Sequence, residues 1–153
     1  MGFIGLAEVT IDGKGRLAVP AKFRSVLEAE TESRTWVSMP RDDGTIRLYP
    51  LAEFDRLSES MGGSLLSDRD ETEVYRILFG FSEKIETDAA GRLILPRRHV
   101  ELTGMPNEVV VIGAGRHLEV HSRAEWSKHE AARLSQLQEY IARVRRSGAS
   151  GGS

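Results

Sequence analysis

Residues 12–20 read Asp12-Gly13-Lys14-Gly15-Arg16-Leu17-Ala18-Val19-Pro20, and residues 88–96 read Asp88-Ala89-Ala90-Gly91-Arg92-Leu93-Ile94-Leu95-Pro96. Both follow D-x-x-G-R-L-x-(V/L)-P at an offset of 76, and basic residues trail each copy: Lys22 and Arg24 after the first, Arg97 and Arg98 after the second. Upstream, Val9 matches Ile85 and Phe3 matches Phe79 at the same offset. Downstream the match resumes at offset 72, with Ile46-Arg47-Leu48-Tyr49 beside Leu118-Glu119-Val120-His121 and Phe54 beside Trp126. An ordered series of matches across both halves is a duplication, and self-similarity of this kind decides the fold before any single element does.

Each half reads as the same short series. A strand (6–11, or 82–87) enters a Gly-containing turn, and a second strand, 16–19 or 92–95, leaves it, so that Arg16 and Arg92 stand at the mouth of a hairpin. Pro20 and Pro96 then stand where a helix can begin, because proline is tolerated in the first turn. Residues 36–39 and 109–112 read as a third strand, and 46–49 and 118–121 as a fourth. Their connectors, Asp43-Gly44 and Gly113-Ala114-Gly115, are hairpin turns. Beyond this the halves diverge. A helix over 50–60 places Leu51, Phe54 and Leu57 on one side, and Gly62-Gly63 breaks it. Ser67 would cap a helix carrying Val74, Ile77, Leu78 and Phe81. Ser122-Arg123-Ala124-Glu125 is a capping box, followed by one long C-terminal helix bearing Leu134, Leu137, Ile141 and Val144. The expected division is 3–78 and 79–146, with 147–153 as a flexible tail.

The 153-residue chain is 40% hydrophobic and 29% charged, within the globular range. It has no cysteine, which removes disulfides, thiolate nucleophiles and Cys-ligated zinc. No apolar run approaches a membrane span and Met1-Gly2-Phe3-Ile4 lacks a basic leader, so a cytoplasmic chain is expected. The net charge of -2 does not suggest nucleic acid, but the charges are segregated. Residues 10–25 sum to +3, residues 51–74 to -5 and residues 123–146 to +3. Arginine supplies 17 of the 21 basic side chains, and its fork suits phosphate and guanine edges better than the lysine point charge.

Enzyme readings fail on spacing. His129-Glu130-Ala131-Ala132-Arg133 imitates the HExxH zinc motif but lacks the second histidine. His117 and His121 on one strand would lie about 13 Å apart, too far to share an ion. Gly113-Ala114-Gly115 lacks the third glycine of a dinucleotide loop, no Walker lysine follows a glycine run, and no serine sits in an elbow pattern. No catalysis, cofactor, metal or small-molecule substrate is expected.

At the two D-x-x-G-R motifs, the acidic helices between them and the long C-terminal helix, the sequence resembles the MraZ family over roughly residues 3–146. The resemblance implies an α+β fold, a small closed or half-closed β-barrel built from two AbrB-like swapped-hairpin halves with peripheral helices. It implies a transcription factor that assembles as a ring-shaped homo-oligomer at the nucleoid. Its target would be double-stranded DNA, at direct repeats in the promoter of the division and cell-wall gene cluster. Four features depart from the family pattern: Ile4-Gly5 after Phe3, the altered lead-in Phe79-Gly80-Phe81-Ser82, Ala89-Ala90 in the second loop where the first has Gly13-Lys14, and His121 where an aromatic is common.

Arg16 and Arg92 are the expected DNA contacts, with Lys14, Lys22, Arg24 and Arg97, and with Gly15 and Gly91, whose freedom serves a tight turn and a close backbone approach to DNA equally. Arg98 belongs either with them or on a solvated helix face. The alternative for the arginines is an ion pair, Asp12 to Arg16 and Asp88 to Arg92, that pins each loop; both roles are compatible. Asp12 and Asp88 repel phosphate, so their expected role is to order the turns. The acidic stretch from Glu53 to Glu73 is either a solvated face or a surface for a neighbouring subunit. The competing whole-protein readings are a non-catalytic oligomeric scaffold and an AbrB-like antitoxin.

Overall fold

The computed structural model describes residues 2–30, 33–61 and 69–151. In chain order the first half contains β1 (Leu6–Thr10), β2 (Arg16–Ala18), α1 (Ala21–Glu30), β3 (Thr35–Pro40), β4 (Ile46–Pro50), α2 (Leu51–Ser60) and α3 (Arg69–Gly80). The second contains β5 (Glu83–Glu86), β6 (Arg92–Ile94), α4 (Arg97–Thr103), β7 (Glu108–Gly113), β8 (Leu118–Ser122), α5 (Arg123–Ser135) and α6 (Leu137–Gly151). Ser67 and Gly62-Gly63 lie outside the described residues.

The β3–β4 and β7–β8 hairpins form within their own halves. Every other pairing crosses between halves. β1 pairs with β7, β5 with β3, β4 with β8, and β2 with β6, all antiparallel. The six-stranded sheet therefore runs β1-β7-β8-β4-β3-β5, an order unchanged when the halves are exchanged. Two registers map onto themselves under that exchange. Leu17 faces Leu93 in the ribbon of β2 and β6, and Arg47 faces Glu119 in the sheet. A local pseudo-twofold axis passes through both pairs, with the ribbon on one face of the sheet.

Burial follows from the period of two along the strands. Leu17, Leu93, Ile46, Leu48, Leu118 and Val120 are fully buried and join Phe3, Phe23 and Trp36 in one core shared by the halves. The Phe3 ring packs edge-on to Phe23 at 6.1 Å and lies 5.8 Å from Trp36. On the other face of the sheet, Val37, Met39 and Tyr49 pack against Leu51, Phe54, Leu57 and Leu78 of α2 and α3. Pro96 immediately precedes α4, and the helix closes on Gly104 at φ 67°, a left-handed conformation that favours glycine.

Five expectations are corrected. The sheet is not a barrel: β2 and β6 form a separate two-stranded ribbon instead of bridging the edge strands β1 and β5. Each of these strands is three residues long and a proline follows two residues later, too short a run to close the edges. The turn at Asp12 is closed by Asp12 N–H donating to the Arg16 carbonyl, yet the strands on either side part and pair with the opposite half, so no hairpin extends from it. Phe79 does not repeat Phe3, since it lies on α3 and is 41% exposed whereas Phe3 is buried. The C-terminal helix is two helices, because Gln136 (φ -93°, ψ 2°) interrupts it. Finally, α6 continues to Gly151, into the stretch expected to be a flexible tail.

Candidate nucleic-acid interface

The two D-x-x-G-R loops are built alike. Asp12 Oδ1 accepts the backbone N–H groups of Lys14 and Arg16, both at 2.9 Å, and Asp12 Oδ2 accepts from Arg16 Nε at 2.6 Å. Asp88 Oδ1 accepts from the N–H groups of Ala90 and Arg92, both at 2.9 Å, and Oδ2 from Arg92 Nε at 3.1 Å. These bonds, above all the one from the backbone N–H of the following arginine, hold both carboxyls below their ordinary range. Gly15 (φ 79°) and Gly91 (φ 77°) supply the left-handed residue that completes each turn. The aspartates thus order the turns, and the expected ion pairs are present.

That pairing occupies only the Nε edge of each guanidinium. Among the described residues the Nη groups of Arg16 and Arg92 have no protein partner, so the end-on fork remains available. The register then decides where the two forks stand. Leu17 and Leu93 point into the core, so Arg16, Ala18, Arg92 and Ile94 share the opposite, solvent-facing side of the ribbon. Arg16 sits opposite Ile94, and Ala18 opposite Arg92. The two arginines are diagonal neighbours with Cα atoms about 7–8 Å apart. One rigid outer face, two residues per strand, therefore carries both arginines.

The remaining basic residues divide. Lys14 is exposed at the tip of the first loop, and the Arg97 side chain, 93% exposed, is paired to Glu101 at 3.5 Å. Lys22 Nζ donates to the Leu6 carbonyl at 2.8 Å and sits 5.1 Å from the centre of the Phe23 ring. Arg98 lies 5.3 Å from the centre of the Phe81 ring. Arg24 Nε donates to the Val19 carbonyl of its own half at 3.0 Å, and from there the side chain covers Gly91 of the second loop, whose carbonyl accepts the Val19 N–H at 3.0 Å. A Cβ on Gly91 would lie 2.5 Å from Arg24 Cδ. Arg24 is thus a brace between halves.

The surroundings of the loops are unequal as a result. The first borders a hollow of about 500 Å³ lined by Lys14, Ile94, Arg97 and Asn107 among others. The hollow at the second loop measures about 50 Å³, with Arg24, Leu27 and Trp36 among its walls.

Two features escaped the sequence reading. Ile94 is 58% exposed on the arginine face of the ribbon; the alternation set by buried Leu93 carries that signal. At the other end of the pseudo-twofold, on the opposite face of the sheet, Glu119 accepts from two imidazoles. His117 Nε2 lies 2.9 Å from Oε2 and His121 Nε2 2.8 Å from Oε1, with Arg47 Nε at 3.7 Å from Oε2. The bonds from His117 and His121 hold this carboxyl well below the usual carboxylate range. The two histidines straddle a carboxylate, and among the described residues no group of three or more His, Asp or Glu is placed to hold a metal ion.

Comparison with known proteins agrees with the duplication. The family model described as "MraZ protein, putative antitoxin-like" matches twice, over residues 3–77 and 78–144. Over 135 residues the chain is 33% identical to the "Transcriptional regulator MraZ" of Thioalkalivibrio sulfidiphilus, covering 84% of this chain and 89% of that protein. The protein of the same name from Methylobacillus flagellatus is 35% identical over 124 residues, 81% of this chain and 83% of the relative. That of Heliobacterium modesticaldum is 33% identical over 127 residues, 83% and 85% of the two chains. No helix among the described residues is long and apolar enough to cross a membrane.

Proposed function

Since the chain belongs to the MraZ family, we propose that it is a DNA-binding transcriptional regulator that lays the outer face of the β2–β6 ribbon against double-stranded DNA. The observation that carries this reading is the placement of Arg16 and Arg92. They stand on one solvent-facing side of a rigid two-stranded ribbon, each fixed at Nε by an aspartate, with the Nη forks free of partners among the described residues. A major groove about 12 Å wide admits such a ribbon, and arginine is the residue that most often reads guanine O6 and N7 there. Holding Nε in advance lowers the rotamer entropy lost on binding. Lys14 and Arg97 flank the ribbon as phosphate contacts; Lys22 contributes charge from the α1 side, while Arg24 acts through the shape of the second loop.

A single ribbon makes few phosphate contacts, so the affinity of one protomer is modest and salt-sensitive. The regulator therefore works as a ring-shaped oligomer on direct repeats in the promoter of the division and cell-wall gene cluster, where linked ribbons multiply affinity without new contacts. Support for self-association comes from apolar side chains left open on the helices: Val74 and Ile77 on α3 beside Asp70, Glu71 and Glu73, and Leu134, Leu137 and Val144 on α5 and α6 beside Arg143. The unlike charges suit an acidic helix meeting a basic one of the next copy. The protein is non-catalytic and acts in the cytoplasm, at the nucleoid.

Fluorescence polarisation with a duplex of several direct repeats, across a salt series, tests this. Arg16→Ala and Arg92→Ala are each expected to weaken binding about tenfold or more. A wild-type chain that binds a scrambled duplex equally well refutes sequence-specific regulation. Light scattering that finds a stable monomer refutes the linked-ribbon account of affinity.

A further inference from the structure

The outer face of the ribbon is symmetric in its arginines and asymmetric in what stands beside them. Exchange of the halves maps Arg16 onto Arg92 and Ala18 onto Ile94. One cross-strand layer is therefore Arg16 with Ile94, and the other is Arg92 with Ala18. Ile94 is 58% exposed on a three-residue strand whose central leucine is buried. Its Cγ2 is 3.9 Å from a Cβ built on Gly15, so it stands beside the first loop. Lys14, Arg97 and the 500 Å³ hollow lie at that same end, whereas Arg24 fills the other.

A ribbon with a perfect twofold axis fits a duplex equally well in two directions, because the two strands of DNA are themselves related by local twofold axes. From the Arg16–Ile94 layer we infer that Ile94 is a specificity-determining residue. Its side chain packs on the C5-methyl group of a thymine next to the base addressed by Arg16, and so fixes the direction in which the ribbon lies. The inference rests on the DNA reading above and adds which residue breaks its symmetry. The spacing is compatible: alternate residues of an antiparallel strand are about 6.8 Å apart, close to two base steps at about 3.4 Å each. The two layers therefore address bases about two steps apart when the ribbon runs along the groove. Thymine is the base that offers an apolar group in the major groove, and apolar side chains are what read it. Ala18, at the equivalent place beside Arg92, is too short to make the same contact while its arginine is engaged. Lys14 and Arg97 at the Ile94 end supply phosphate contacts that the second loop, with Ala90 in place of Lys14, lacks.

The probe is a duplex library with a randomised central segment, prepared once with thymine and once with deoxyuridine, which lacks the C5-methyl group. Wild type, Ile94→Ala and Ala18→Ile are each put through selection, and the enriched duplexes are then titrated. Wild type is expected to enrich an asymmetric core with a thymine on one side, and deoxyuridine there to weaken binding about three- to fivefold. Ile94→Ala should be indifferent to that replacement and enrich a core closer to twofold symmetry. Ala18→Ile should enrich a second thymine on the opposite side. Both variants should melt as wild type does, since both positions are exposed. An Ile94→Ala chain that enriches the wild-type core and still discriminates thymine from deoxyuridine overturns the role of Ile94 alone. A wild-type chain that enriches nothing overturns the DNA reading beneath it.

Discussion

Gly15 and Gly91 occupy equivalent places, at φ 79° and 77°, and alanine at either bears the same backbone strain. That strain costs about 1–2 kcal/mol, partly offset by the unfolded-chain entropy that glycine gives up. Their surroundings differ. A Cβ at position 15 meets only Ile94 Cγ2 at 3.9 Å, an ordinary contact. A Cβ at position 91 would lie 2.5 Å from Arg24 Cδ and 2.7 Å from Nε, so the arginine must move. It can swing outward cheaply, but it then gives up its bond to the Val19 carbonyl, on a residue only 3% exposed. Losing that bond costs about 1–2 kcal/mol, at the lower end if water replaces the guanidinium. Gly15→Ala is therefore expected to destabilise by about 1 kcal/mol and Gly91→Ala by about 2–3 kcal/mol. For a domain of this size that separates the two melting temperatures by roughly 2–8 °C. Chemical denaturation of Gly91→Ala, Arg24→Ala and the double variant isolates the coupling, expected at about 1–2 kcal/mol. In the Arg24→Ala background the Gly91→Ala cost should fall to that of Gly15→Ala. Equal costs at the two glycines, or additivity of Arg24→Ala with Gly91→Ala, would refute the brace between halves.

Two further outcomes follow from the same packing. His99 is buried, with Nδ1 2.8 Å from Ser38 Oγ and Nε2 2.6 Å from the Phe81 carbonyl, and burial lowers its pKa below the ordinary histidine value. The unfolded chain therefore binds more protons than the fold just below that value. Stability should be full above about pH 6.5 and fall as pH drops toward the lower folded pKa, by at most about 1.4 kcal/mol per pH unit. His99→Phe, which copies Phe23 at the equivalent position, should flatten the slope measured by denaturation across that window; an unchanged slope assigns it elsewhere. The second outcome concerns the halves. Because β1 needs β7 and β5 needs β3, residues 1–81 and 82–153 should each be largely unfolded alone and regain native circular dichroism when mixed. A cooperative melt from either fragment by itself would sink this account of the strand exchange.

How much of the interface could be read in advance depends on the range of the interactions that build it. The loops were legible because each is closed by bonds spanning two to four residues, from Asp12 to Lys14 and Arg16 and from Asp88 to Ala90 and Arg92. The Ser122 cap was legible for the same reason, and its Oγ accepts from the Glu125 N–H at 3.4 Å. Arg24 was not legible: it reads as one more basic residue on a helix, and only the approach of the second loop turns it into a brace. His117, just before β8, and His121 within it lie too far apart along the chain to share an ion, and only the folded side chains show both bonded to Glu119 between them.

The sequence by itself determined the repeat unit, the eight strands in order, the two Asp-ordered loops and the segregation of charge beneath a small net total. These follow from periodicity and from bonds that close within a few residues, which the chain encodes locally. Only the tertiary structure decided which strands pair, and so turned two hairpin-like halves into one exchanged sheet with a separate ribbon. Partner choice rests on a core contributed by both halves, Leu17 and Leu93 against Ile46, Leu48, Leu118 and Val120, and no local pattern specifies it. The same exchange puts Arg16 and Arg92, 76 residues apart in the chain, side by side on one exposed face.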